Sequence, residues 1–264
     1  MKKKESNPIH QKKQNLYIFL SGLFLTNALI AEVVGTKIFS LENTLGFNPA
    51  QIKLPIWDSP LDFNLTAGVM LWPVVFILTD IINEYYGKKG VRKISFLTAG
   101  FIAYSFFMIW VVTGLSPAEF WVNINNPLDI NTAFNRIFLQ SMGIIIGSLT
   151  AFLLGQIIDV VAFQWLRKFT GSKNLWLRAT GSTLISQFID SFVVLFIAFY
   201  FFGSPKWSFN QVVSVGIINY IYKFSVAVLL TPVLYVVHYL IDSYLGKQTA
   251  TEMIEEASNS ELFE

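Results

Sequence analysis

Residues 182–202 read STLISQFIDSFVVLFIAFYFF, and this run decides the class of fold. It is long enough to span a membrane, because a helix needs about 20 apolar residues to cross about 30 Å of hydrocarbon. Its only charged residue is Asp190, and a charge at such a position must face protein or water. The run therefore predicts a membrane-spanning helix that carries a buried acid.

The composition of the whole chain agrees with a lipid environment. Of 264 residues, 53% are apolar and only 14% are charged, whereas an average soluble domain has about 25% charged residues. Cysteine is absent, which excludes disulfides, thiolate metal sites and thiol nucleophiles. A net charge of +2 gives no broad basic surface for nucleic acid.

Six apolar runs of sufficient length occur, so we expect an all-α, polytopic integral membrane protein with six transmembrane helices. The predicted spans are Leu16 to Val34, Leu65 to Asn83, Ile94 to Thr113, Ile137 to Trp165, Ser182 to Phe202 and Val212 to Leu240. The first resembles a signal peptide, but its long apolar stretch and the lack of a clear cleavage site favour a retained span. Three parts follow: a basic tail (1–14), a six-helix transmembrane domain (15–245) and an acidic tail (246–264), of which Glu252 to Glu264 are expected to be solvated.

The distribution of basic residues predicts the orientation. Fourteen of the 19 Lys and Arg lie in the two tails and the even-numbered loops, and four lie in the odd-numbered loops. Cytoplasmic loops carry the excess of Lys and Arg, which puts both termini in the cytoplasm. The two long odd-numbered loops, around 42–64 and 116–136, contain either short interfacial helices or plain connectors.

Polar residues inside the last two spans predict a site near mid-bilayer. Thr183, Ser186, Gln187 and Asp190 lie on one helical face, and Lys223 reaches a similar depth from the other side, with Asn219 one turn away. An acid and a base at one depth suggest an ion pair. The alternatives are a stripe that only packs against other helices and a pair that only fixes helix register.

Three further acids are candidates for gating or coupling. Asp80 and Glu84 share a face with Asn83 near the end of the second span, where they either gate a mouth or cap the helix. Asp159 ends a four-residue repeat of small residues (Gly143, Gly147, Ala151, Gly155), which is typical of helix packing.

Glu32 lies near the outer end of the first span, where it is either exposed or part of the binding site.

The sequence gives little support to enzymatic functions. His10 and His238 are isolated in the sequence, so no metal pair at helical spacing exists, and no phosphate loop is present. We therefore expect no catalytic residue, metal or cofactor. An intramembrane protease would need two facing aspartates, for which Asp80 with Asp159 or Asp190 is a weak candidate.

Taken together, four motifs resemble the queuosine precursor transporter family, which is also described as vitamin-uptake-like. They are DIINEYYG (80–87) followed by Lys88, Lys89 and Arg92; GQIID (155–159); LWLR (175–178) leading to STLISQFID (182–190); and Tyr222-Lys223. The resemblance runs from about the first span to the last. Ser191 departs from it, since a threonine is expected there.

This resemblance implies a multi-pass protein of the bacterial cytoplasmic membrane. It would import a 7-deazapurine, most of all 7-cyano-7-deazaguanine, for the queuosine modification of tRNA. Asp190 would accept the N–H groups of a guanine-like edge, and Asn219, Gln187 or Lys223 would bind its carbonyl or nitrile. Ser186 and Glu32 complete the expected substrate-binding set. The partners expected are the deazapurine and the lipid bilayer, with no nucleic acid and a homo-oligomer left open.

Two other functions stay open at this stage. One is a substrate-binding membrane subunit of a multi-protein vitamin importer that a separate ATPase drives. The other is an intramembrane enzyme or a structural helper.

Overall fold

The computed structural model describes residues 8–35, 37–53, 60–139, 142–170, 175–202 and 206–259. Within these ranges the helices are α1 (Pro8–Val34), α2 (Leu41–Leu45), α3 (Trp72–Thr113), α4 (Glu119–Ile124), α5 (Ile130–Phe138), α6 (Met142–Thr170), α7 (Leu175–Leu195), α8 (Phe209–Leu245) and α9 (Lys247–Asn259). A short antiparallel pair, β1 (Ile38–Ser40) and β2 (Asn64–Thr66), lies between α1 and α3. A 3-10 turn (Ala67–Met70) precedes α3, and a π-helical segment (Phe196–Phe201) continues α7.

Five helices in the described part of the chain are long and apolar enough to cross a membrane. They are α1, α3, α6, α7 with its π-helical continuation, and α8. Large apolar side chains are exposed along them, such as Ile18, Phe101 and Leu229, as expected of surfaces that face lipid tails. The predicted class, an all-α polytopic membrane protein, is confirmed.

Helix α3 is a hairpin of two arms that meet at Gly87. Gly87 has φ 67° and ψ −176°, which breaks the helix. The Gln156 side-chain oxygen accepts hydrogen bonds from both Thr79 and Ser95, each at 3.2 Å. These two residues would lie about 24 Å apart in a straight helix, so the arms 72–86 and 88–113 fold back beside one another. Instead of the loop expected between the second and third spans, a single non-helical residue, Gly87, joins the two arms.

Two predicted helix boundaries are wrong. The second span was expected to begin at Leu65, but residues 64–66 form β2, in which Leu65 pairs with Phe39. The helix begins at Trp72, and Pro73 lies in its first turn. Backbone N–H groups in the first turn have no acceptor within the helix, so the missing N–H of proline costs no hydrogen bond there. Ile137, the expected start of the fourth span, belongs to α5. The loop around 116–136 contains the short helices α4 and α5.

The predicted small-residue ridge on α6 packs against α7 and its continuation. A Cβ atom at Gly147 would lie 3.2 Å from the backbone nitrogen of Ala198, and one at Gly155 would lie 3.8 Å from the Asp190 side chain. Ala151 is buried between these two positions. The packing interpretation is confirmed for this part of the ridge, whereas the surroundings of Gly143 lie outside the described side chains.

The C-terminal segment is not the solvated tail that its acidic residues predicted. Residues 247–259 form α9, and Ala250, Met253 and Ala257 on one face of it are buried. The Arg167 guanidinium on α6 donates a hydrogen bond of 2.8 Å to the Ile254 carbonyl. The spacing of these apolar residues is that of an amphipathic helix, which the acidic residues between them concealed. Residues 260–264 lie outside the described part.

Candidate functional site

The first arm of α3 and the middle of α8 line a cavity. Its volume is about 540 Å³, and its walls are mainly apolar. Trp72, Phe76 and Tyr222 line it together with two charged residues, Asp80 and Lys223. Small-molecule sites have this character: a few hundred Å³ of apolar surface with a few convergent polar groups.

Lys223 forms the predicted ion pair with Asp190. The Lys223 ammonium lies 2.5 Å from a carboxylate oxygen of Asp190, and the two side chains are 13% and 21% exposed. The pair joins α7 to α8 at the edge of the cavity. Asn219 is half-buried one turn before Lys223, but it is not among the described residues that line the cavity.

Glu32 is part of the same charged group. Its side chain is 7% exposed, so the alternative of an exposed residue at the outer surface is wrong. Glu32 interacts with the hydroxyl of Ser148 on α6 and electrostatically with Asp190. Four helices thus converge here, and Glu32 places a second carboxylate near the Lys223–Asp190 pair.

A second acidic group lies between α3, α6 and α7. Asp80 and Asp159 are 5% and 1% exposed, and each carboxylate acts electrostatically on the other. The Ser186 hydroxyl donates to Asp159 at 3.2 Å. One oxygen of each aspartate accepts no hydrogen bond from the described residues. Glu84, buried one turn after Asp80, adds a further negative charge.

The polar stripe on α7 serves both packing and the site. Ser186 bonds to Asp159 across the interface between α6 and α7, and Asp190 reaches Lys223 on α8. Gln187 is 2% exposed, and its side-chain oxygen has no hydrogen-bond donor among the described residues. The side chain of Thr183 lies outside the described part.

Two contacts between distant parts of the chain lie near the cavity, and the sequence did not reveal them. At the end nearest Gly87, the Tyr85 hydroxyl donates to Asp242 at 2.7 Å and lies 3.0 Å from a ring nitrogen of His238. At the other end, the Tyr222 hydroxyl reaches the Met70 sulfur at 3.8 Å. No sequence signal links Tyr85 to His238, because 153 residues separate them.

These features define a polytopic α-helical membrane protein with a mainly apolar cavity and buried charges between its helices. The family model described as "Putative vitamin uptake transporter" matches residues 66–237, and the chain belongs to this family. No solved structure matches the chain.

Curated relatives support the same assignment. The chain is 30% identical to a "Probable queuosine precursor transporter" of Bacillus subtilis over 72% of its own length and 80% of the relative's. It is 26% identical to the "Queuosine precursor transporter" of Escherichia coli, over 67% and 73% of the two lengths. The family predicted from the motifs is therefore confirmed, and the chain is a multi-pass protein of the bacterial cytoplasmic membrane.

Proposed function

We propose that this protein is a carrier without enzymatic activity that imports a queuosine precursor, with 7-cyano-7-deazaguanine as the first substrate to test. The cavity beside the Lys223–Asp190 pair is the observation that carries the proposal, because it combines apolar walls with charged groups. The names of the curated relatives support the substrate class. Like them, the protein would work within a bilayer.

In the proposed topology the chain crosses the membrane six times, and both termini are cytoplasmic. The 3-10 turn and the first arm of α3 together are about 30 Å long, which is the thickness of the hydrocarbon core. Each arm of the hairpin then makes one crossing. The transporter domain spans residues 15–245, after a basic segment (1–14) and before the cytoplasmic segment 246–264 that contains α9.

The absence of cysteine from the chain makes this topology easy to test. Lys93 and Lys206 are both exposed and lie on opposite predicted sides. A membrane-impermeant maleimide should label the Lys206→Cys variant in intact cells and the Lys93→Cys variant only after permeabilisation. The reverse pattern would overturn the orientation.

The charged groups beside the cavity fit the edge of a guanine-like ring. Asp190 and Glu32 would accept its N–H donors, while Lys223 would donate to a carbonyl or nitrile. Gln187, Ser186 and Asn219 complete the proposed polar set. Trp72 and Phe76, whose rings stack with centroids 6.0 Å apart, give the cavity a flat apolar wall for the base.

Asp80, Asp159 and Glu84 are proposed as the coupling or gating group. Like charges that are buried together are unfavourable, so a cation held between Asp80 and Asp159 would stabilise the group. Release of this cation when the cavity opens would couple transport of the substrate to an ion gradient. Asp80 also lines the cavity, which places the proposed coupling group beside the proposed substrate.

Titration calorimetry of the purified protein with 7-cyano-7-deazaguanine tests the substrate and the site together. We expect micromolar binding that Asp190→Asn weakens at least tenfold, because hydrogen bonds to charged groups contribute about 1.5–3 kcal/mol. Asp62→Asn is the matched control, since Asp62 bonds to Gln51 in a loop away from the cavity. Unchanged binding by Asp190→Asn, or equal binding of guanine, would contradict the assignment.

Uptake into liposomes that contain only this protein tests the carrier mechanism. We expect accumulation of the precursor without any added ATPase. If uptake requires a second membrane subunit and an ATPase, the protein is instead a subunit of a multi-protein importer.

A further inference from the structure

A second groove lies on the other face of the α3 hairpin, between its second arm and α6. Its volume is about 430 Å³. Lys88, Arg92, Ser95 and Phe96 follow one another at helical spacing and form one wall. The opposite wall is a matching stripe on α6 that includes Ile157 and Val161. None of the residues that line the candidate substrate cavity lines this groove.

The groove is cationic at one end. Lys88 and Arg92 stand within the first turns after Gly87, and no acidic side chain is among the described residues that line the groove. Lys89 and Lys93 add two further positive charges to the same turns. This end therefore has the charge that would attract an anion at the membrane surface.

The rest of the groove is mainly apolar, apart from Ser95 and Gln156, and it is open to the outside of the helix bundle. Phe96, Ile157 and Val161 are 54%, 48% and 52% exposed, although they belong to helices long enough to span a membrane. Lipid tails are the surroundings of such side chains in a bilayer. The groove thus joins a cationic mouth to a mainly apolar surface that follows α3 and α6.

The geometry points to a binding site for one anionic phospholipid. The phosphodiester would lie between Lys88 and Arg92, and an acyl chain would follow Phe96, Ile157 and Val161 into the membrane. Lys88 and Phe96 are separated by about 12 Å along the helix axis, which is the step from the headgroup region into the hydrocarbon. An anionic headgroup complements the charge of the mouth, whereas a zwitterionic headgroup also brings a positive charge to it.

Native mass spectrometry of the full chain with phosphatidylglycerol, phosphatidylcholine or inorganic phosphate tests this site. We expect one retained phosphatidylglycerol, weaker retention of phosphatidylcholine and no displacement by inorganic phosphate. Arg92→Gln should weaken binding about fivefold, and Lys88→Gln with Arg92→Gln about 25-fold. Lys93→Gln is the matched control, because Lys93 is exposed on the same turns but does not line the groove.

A second variant tests the apolar part without changing any charge. Val161→Trp should fill the groove and exclude the acyl chain while the bound deazapurine and the melting temperature stay as in the parent protein. Equal retention of both lipids, a loss in Lys93→Gln as large as in Arg92→Gln, or retention of lipid by Val161→Trp would overturn the proposal. Displacement by inorganic phosphate would also overturn it, in favour of a free-anion site. None of these measurements depends on transport.

Discussion

Two groups of buried acids lie between the helices, and they differ in how their charge is balanced. Asp190 is paired with Lys223, with Glu32 nearby. Asp80 and Asp159 face one another, and neither forms an ion pair with any described residue. Lys223 balances the charge of Asp190 in the first group, whereas no described residue forms an ion pair with either aspartate of the second.

This difference separates two roles in the proposed carrier. A buried charge whose partner belongs to the protein can remain ionised without a ligand, and it offers a preorganised contact to a polar substrate. Two carboxylates without a partner favour the uptake of a positive ion. This comparison is the basis for the proposal that the Asp190 group recognises the substrate and the Asp80 group couples transport to an ion.

Removal of Lys223 should have the largest effect. Lys223→Met leaves Asp190 without its cation, and breaking a buried pair in this way costs about 3–5 kcal/mol. Denaturation of the purified protein in detergent measures this loss. The double variant with Asp190→Asn should regain most of the stability but not the binding of the deazapurine. A single variant as stable as the parent would break the comparison.

Loss of the Tyr85 hydroxyl should open the end of the cavity nearest Gly87. Tyr85→Phe removes the hydrogen bond to Asp242, and a bond to a charged group contributes about 1.5–3 kcal/mol. Ala227→Cys, which lines the cavity, reports this opening by its rate of maleimide labelling. We expect faster labelling in the Tyr85→Phe background than in the parent. Tyr104→Phe, on the exposed surface of α3, should leave the rate unchanged.

Neutralisation of Asp159 should act in the opposite direction to the loss of Lys223. Asp159→Asn removes one of two like charges that are buried together, so the protein should become more stable. Accumulation of the precursor in liposomes should fall about tenfold, because the coupling ion loses a ligand. A variant that is destabilised but transports normally would give Asp159 a purely structural role.

Glu42 is an acid whose contacts lie outside the membrane helices, and it should show the smallest effect. Burial raises the pKa of Glu42, but hydrogen bonds from the Phe63 and Ala50 amides and the Ser40 hydroxyl outweigh this and hold the pKa below its usual value. Its contribution to stability is therefore present above pH of about 4.3, the value in an unfolded chain, and is lost as the pH falls through the lower folded value.

Glu42→Gln should abolish this dependence on pH at a cost of about 1 kcal/mol. Protection of the Phe63 amide from hydrogen exchange, compared at pH 3.5 and at pH 7, measures this dependence on pH. Asp62→Asn, in the same loop, serves as the control. An unchanged dependence on pH in Glu42→Gln would show that another group is responsible.

Properties carried by single helices could be predicted from the sequence. Apolar runs located the long helices, and the rise of a helix placed Asp190 and Lys223 at one depth, where the structure pairs them. The start of the second span could not be found, since Leu65 begins the apolar run but belongs to the short strand Asn64–Thr66, and composition alone does not separate a strand residue from the first residue of a helix. The burial of Glu32 and the contact of Tyr85 with His238 depend on helices that are distant in sequence, and no local pattern encodes them.

The contact between Arg167 and Ile254 also sets an order of assembly. Its two residues are 87 positions apart, and α9 emerges from the ribosome only after every long helix has been made. The earlier helices must therefore enter the bilayer while their common end is still uncovered. Docking of α9 then buries Ala250, Met253 and Ala257, which a chain with misplaced helices would leave exposed.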